Sequence, residues 1–160
     1  MKSKFETELE KVKEAAIKEN VPIIMDETLQ KIKATLKELN KNTINKILEI
    51  GTATGYSALC FSMLLTDNGE IDTIERDTER IAKAKENIKI LESNKKINLY
   101  EGDAVEILKQ MDNRYDLIFI DASKSKYPIF LEESLRMLNQ NGIIFADNVL
   151  YKGYVMSDYN

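Results

Sequence analysis

The sequence contains no histidine, and that absence excludes several chemistries before any motif is considered. Imidazole base catalysis, Ser-His triads and histidine-containing zinc sites are all ruled out. Cys60 is the only cysteine, set in an apolar helical context, so no disulfide forms within the chain. Any bound metal is therefore expected to take oxygen ligands, which points to a hard cation such as Mg²⁺. No apolar run approaches the roughly 18 residues needed to span a bilayer, and the N-terminus has no signal-like apolar stretch. A cytoplasmic protein without membrane contact is the expectation. The 160 residues include only two prolines and show no repeat or low-complexity linker, as a single domain over 1–160 would. A formal net charge of −4 argues against a broad basic surface for nucleic acid, while leaving room for a local basic patch.

What is present is alternation. Residues 3–19 read as a helix, with Phe5, Leu9, Val12 and Ala16 at helical spacing, and Val21-Pro22 breaks it. A second helix is expected over about 26–39, completing an N-terminal helical segment, 1–40, ahead of a core over 41–160. Short β-rich runs follow at Lys46–Ile50, Ile71–Glu75, Ile97–Tyr100, Asp116–Ile120 and Ile143–Ala146, separated by amphipathic helices. Asp77 is placed to cap one of these helices. Pro128 near the start of another, with Gly142 just past its expected end, fits the usual asymmetry of helix termini. The predicted fold is α/β: a Rossmann-like, doubly wound, mostly parallel sheet. The chain stops about a dozen residues after the fifth run. That leaves an apolar edge unpaired, so a truncation after the fifth strand is expected.

Chemistry-bearing residues collect at the strand ends. The stretch Glu49-Ile50-Gly51-Thr52-Ala53-Thr54-Gly55-Tyr56-Ser57 joins the first strand to its helix, where open α/β sheets bind ligands. It is G-x-x-x-G, neither the dinucleotide G-x-G-x-x-G nor a P-loop, and no lysine follows to hold phosphates. It suits a nucleoside cofactor lacking a pyrophosphate. Glu75 ends the second strand, 24 residues beyond Gly51, where a carboxylate can accept hydrogen bonds from both ribose hydroxyls. Gly102-Asp103-Ala104 follows the third strand and could line an adenine slot; turn chemistry alone is the competing explanation for each of these segments.

Asp121 ends the fourth strand and Asp147-Asn148 the fifth. If those strands are neighbours, about 4.8 Å apart, two carboxylates and an amide oxygen converge as half of an octahedral shell for Mg²⁺. Lys124 lies three residues after Asp121, and a cation nearby would favour its neutral form, able to accept a proton.

Taken together, these residues resemble the metal-dependent O-methyltransferase family that includes catechol and caffeoyl-CoA O-methyltransferases. The resemblance runs from about residue 20 to residue 155 and rests on LEIGTATGYSA and FIDASKSKY. The segment from Asp147 to Gly153, DNVLYKG, is most similar to the bacterial tRNA 5-hydroxyuridine methyltransferases. It implies S-adenosylmethionine as cofactor, a divalent metal held by Asp121, Asp147 and Asn148, and Lys124 as base. Gly51, Tyr56, Ser57, Glu75, Ala104 and Asp121 would line the cofactor pocket, with Met25 and Glu27 closing over it. It also implies two further C-terminal strands, missing here, and a homodimer in the full-length protein. Plant-type relatives carry a second acidic residue where Ser123 stands, which points away from caffeoyl-CoA. The expected reaction is methyl transfer to a hydroxyl: 5-hydroxyuridine in a tRNA anticodon loop, with Lys124, Lys126 and Lys152 as phosphate contacts, or a small catechol-like molecule. A non-catalytic cofactor-binding module is the alternative from another class.

Overall fold

The structure, a computed structural model, describes residues 1–41, 43–91, 93–121 and 124–146, without the side chain of Lys124. Two helices open the chain. Ser3 caps α1 (Lys4–Lys18) in a reciprocal capping box with Glu6, and the helix buries Leu9, Val12 and Ala16. α2 (Asp26–Glu38) has Asp26 and Glu27 in its first turn, favourable against the helix dipole, and buries Ile32 and Leu36. The remaining elements alternate: β1 (Ile44–Ile50), α3 (Tyr56–Ser62), β2 (Leu65–Glu75), α4 (Thr78–Ile88), β3 (Lys96–Glu101), α5 (Ala104–Gln110), β4 (Tyr115–Ile120), α6 (Tyr127–Met137) and β5 (Leu138–Ala146).

Among the described residues the five strands are parallel in one sheet of order β3-β2-β1-β4-β5. Consecutive strands β1, β2 and β3 run outward to one edge, and β4 returns to the other side of β1. The strand order therefore reverses between β1 and β4. Alternating side chains give the sheet two apolar faces. Ile47, Ile71, Phe119 and Phe145 join α1, α2 and α3 in one core, where the Phe61 and Phe119 rings meet at 5.1 Å. Leu48, Ile50, Ile118 and Ile144 pack with Leu108 of α5 and Phe130 of α6 in the other. β4 is buried on both faces, as its nearly unbroken apolar run requires.

Two elements differ from the sequence expectation for one reason. β2 and β5 begin six and five residues earlier than expected, at Leu65 and Leu138. Each carries an Asn-Gly pair that reads as a turn, and each has its asparagine left-handed, Asn68 at φ 67° and Asn141 at φ 66°. Both pairs form bulges inside the strand: Ile44 pairs with Leu65 but Lys46 with Glu70, and Tyr115 pairs with Leu138 but Leu117 with Ile143. Gly142 is thus part of a strand bulge, not a helix terminus; α6 ends earlier, at Met137, and passes directly into extended chain at Leu138.

Candidate active site at the switch point

The site is built where β1 and β4 part. The Asp121 N–H donates to the Ile50 carbonyl at 3.0 Å, and the Gly51 and Thr52 N–H groups both donate to the Ile74 carbonyl of β2. Gly51 has φ 107°, and a Cβ there would stand 2.3 Å from the Asp121 carbonyl oxygen. Only glycine permits that approach. The loop continues through Ala53 (φ 49°) and Gly55 (φ 91°) into α3, so it turns left-handed three times within five residues.

Glu75, nearly buried at the end of β2, holds this loop from the side. Its Oε1 accepts from the Ala53 N–H at 2.7 Å, and its Oε2 accepts from the Arg76 and Asp77 N–H groups at 3.1 Å each. Beside it lies a cavity of about 240 Å³ lined by Gly51, Ile74, Glu75, Gly102, Asp103, Ala104, Val105, Lys126 and Phe130. Its lining is mainly apolar, with two carboxylates, Glu75 and Asp103, among it. Asp103 caps α5 by accepting from the Glu106 N–H, which fixes Gly102–Ala104 against the cavity. A narrow cleft on the other side of Gly51 is lined by Pro22, Ile23, Ile24, Thr54, Tyr56, Ser57 and Asp121. A larger cavity of about 620 Å³, between Phe5, Met63, Ile90 and Leu91, contains none of the candidate residues.

Under the cleft lies an acid that the sequence reading passed over. Glu49 is fully buried in β1, accepting from the Ser57 hydroxyl and, at 2.7 Å, from the Thr73 hydroxyl. Thr73 in turn meets the Thr52 hydroxyl at 2.6 Å. Burial pushes the Glu49 carboxyl up to about 8, opposed by the two hydroxyls and reinforced by the nearby charges of Asp121 and Glu75. That shift favours the protonated, neutral carboxyl. The signal was present in the sequence: a lone acid inside the apolar run Ile47–Ile50 faces a core.

The O-methyltransferase family model matches residues 3–160. The chain belongs to that family. O-methyltransferases similar to it include a catechol O-methyltransferase of Niastella koreensis, 34% identical over 116 residues, covering 70% of this chain and 52% of the relative. A caffeoyl-CoA O-methyltransferase of Populus kitakamiensis is 31% identical over 118 residues, covering 71% of this chain and 50% of the relative. This chain thus spans about half the length of the O-methyltransferases it matches. The crystal structure of an O-methyltransferase from Bacillus cereus in complex with SAH superposes with a TM-score of 0.78 at 26% identity, covering 96% of this chain and 71% of that one.

Within this O-methyltransferase fold the candidate residues fall into four groups. Gly51, Tyr56, Ser57 and Asp121 line the cleft; Gly51, Glu75 and Ala104 line the nucleoside-sized cavity, joined there by Lys126. Tyr56 is buried, and burial raises its hydroxyl far above the ordinary tyrosine range. Met25 and Glu27 are exposed at the start of α2 and belong to neither lining, although the adjoining Pro22, Ile23 and Ile24 do. Asp147, Asn148 and Lys152 lie outside the described residues, as does the Lys124 side chain; Lys124 itself opens a short 3₁₀ turn after β4. Among the described residues no group of three or more acidic or cysteine side chains could hold a metal. Ile120 pairs with Ala146, so the residues directly before Asp121 and Asp147 are register partners on adjacent strands.

Proposed function

We propose that this chain is the cofactor-binding core of a metal-dependent O-methyltransferase that uses S-adenosylmethionine. One observation carries the reading: Gly51 lines both the nucleoside-sized cavity containing Glu75 and the cleft containing Asp121. A nucleoside in the first would direct its substituent past Gly51 toward the second. Glu75 would accept from the ribose hydroxyls, and the hydrophobic walls at Ala104, Val105 and Phe130 would take the base. S-adenosylmethionine would supply an electrophilic methyl group, and a cation held by Asp121, Asp147 and Asn148 would lower the pKa of the acceptor hydroxyl. Lys124 would receive that proton, and the cleft would align acceptor oxygen with methyl carbon and sulfur.

The acceptor class follows from the metal: two adjacent oxygens able to chelate it. A small catechol-like molecule fits the names of the relatives and the net charge of −4. The segment Asp147–Gly153 favours a second acceptor of the same geometry, 5-hydroxyuridine in tRNA, with Lys124, Lys126 and Lys152 on phosphates. Methylation assays on full-length protein with both acceptors separate them, since tRNA affinity would fall with added salt. Replacing Asp147 by Ala is expected to abolish Mg²⁺-dependent methylation while leaving S-adenosylmethionine binding intact by calorimetry. Unchanged turnover would remove the metal from the mechanism.

A further inference from the structure

We infer that Asn87 is a positioning residue for the cofactor loop, acting through one peptide group; this rests on the proposal that the chain binds S-adenosylmethionine. Asn87 is half-buried in the last turn of α4, and its side-chain amide donates to the Thr54 carbonyl at 2.8 Å. Thr54 stands between the two left-handed residues Ala53 and Gly55. The rest of the loop is held elsewhere. Gly51 and Thr52 bond to Ile74, Gly55 bonds back to Thr52, and Ala53 bonds to Glu75. The Thr54–Gly55 peptide is thus held from both sides, its N–H by the Thr52 carbonyl within the loop and its carbonyl by Asn87 from α4.

The contact is not a casual surface bond. α4 lies against the loop, where a Cβ on Gly55 would meet the Ala84 backbone at an ordinary contact distance of 3.6 Å. At its other end the same helix presents the Asp77 N–H to Glu75 Oε2 and is capped by the Asp77 side chain. α4 is therefore a strut between the ribose carboxylate and the glycine loop. The carbonyl at Thr54 also governs how Gly55 leads into Tyr56 and Ser57, both in the cleft wall.

The test compares wild type, Asn87→Ala and Asn87→Asp in this chain. S-adenosylmethionine and S-adenosylhomocysteine affinities come from titration calorimetry, and stability from thermal unfolding without ligand. Asn87→Ala is expected to weaken both ligands by roughly tenfold, the effect of one lost hydrogen bond to a strained loop, while Tm without ligand moves only by a few degrees. Asn87→Asp keeps the shape and loses the donor at pH 7. Its affinity should approach that of wild type, measured at the same pH, as acid protonates the new carboxyl and restores an O–H donor. Affinity within twofold of wild type in the Ala variant would overturn the inference. So would loss of affinity that only parallels a large drop in Tm, with no recovery of the Asp variant in acid; if Asn87→Ala fails to fold, the Asp variant alone decides. Failure of wild type to bind either ligand would overturn the proposed function and this inference together, whereas wild-type binding with insensitive variants would overturn this inference alone.

Discussion

Glu49 has an unusual environment among the described residues. It is a carboxyl with no cationic partner among the described residues, fully buried, bonded to Ser57 and Thr73, and pushed up to about 8. Its native pKa exceeds the unfolded value of 4.5, so the native state binds the extra proton across the interval between them. Its contribution to stability is accordingly complete below about pH 4.5 and is lost as pH rises toward about 8. Urea unfolding across that range should show the midpoint falling with pH, and Glu49→Gln should flatten the slope because an amide does not titrate. A variant whose slope matches wild type would place the buried charge elsewhere. The same acid marks a limit of sequence reading. Glu75 and Asp121 were recognisable because strand ends announce themselves; Glu49, a lone acid inside an apolar run, signalled only that it faces a core, and its hydroxyl partners Ser57 and Thr73 became visible once α3 and β2 were docked.

At the scale of elements, α6 contains a hydroxyl with no use. Ser134 is completely buried, and its Oγ has no hydrogen-bond partner among the described residues. Ser134→Ala removes an orphaned polar group and improves helix propensity, so it is expected to stabilise the chain by about 1 kcal/mol. Thermal unfolding should register this as a rise in Tm of roughly 2–4 °C. A fall would mean that the hydroxyl has a partner in the native chain. The helices were the most legible elements: residues 3–19 and 26–39 were expected, and Lys4–Lys18 and Asp26–Glu38 are present. The C-terminal ends of β1, β2, β3 and β4 were also legible to within a residue, because glycine, aspartate or a charged residue follows each one. Strand beginnings were not, in β2 and β5, because an Asn-Gly bulge and an Asn-Gly turn share one local signature. Only pairing with the neighbouring strand separates the two. The loop from Gly51 to Gly55 was recognised as a ligand loop, but its anchor at Asn87 lies 33 residues away from Thr54 and became visible only once α4 was docked.

For the molecule as a whole, the sheet order decides which parts are tightest. β1 and β4 are central, with Ile47, Leu48, Leu117, Ile118, Phe119 and Ile120 fully buried, while β3 lies at an edge with no fully buried residue. Native-state hydrogen exchange should therefore be slowest in β1 and β4 and distinctly faster in β3. Equal protection in β3 would show that another surface covers that edge. Among the described residues no helix is long and apolar enough to cross a membrane. The two strands expected to exchange slowest are those that meet at Gly51 and Asp121, so the site stands on deeply buried strands. The Asp121 carbonyl occupies the space a Gly51 side chain would fill, so any replacement of that glycine must displace the end of β4 and alter both halves of the site at once.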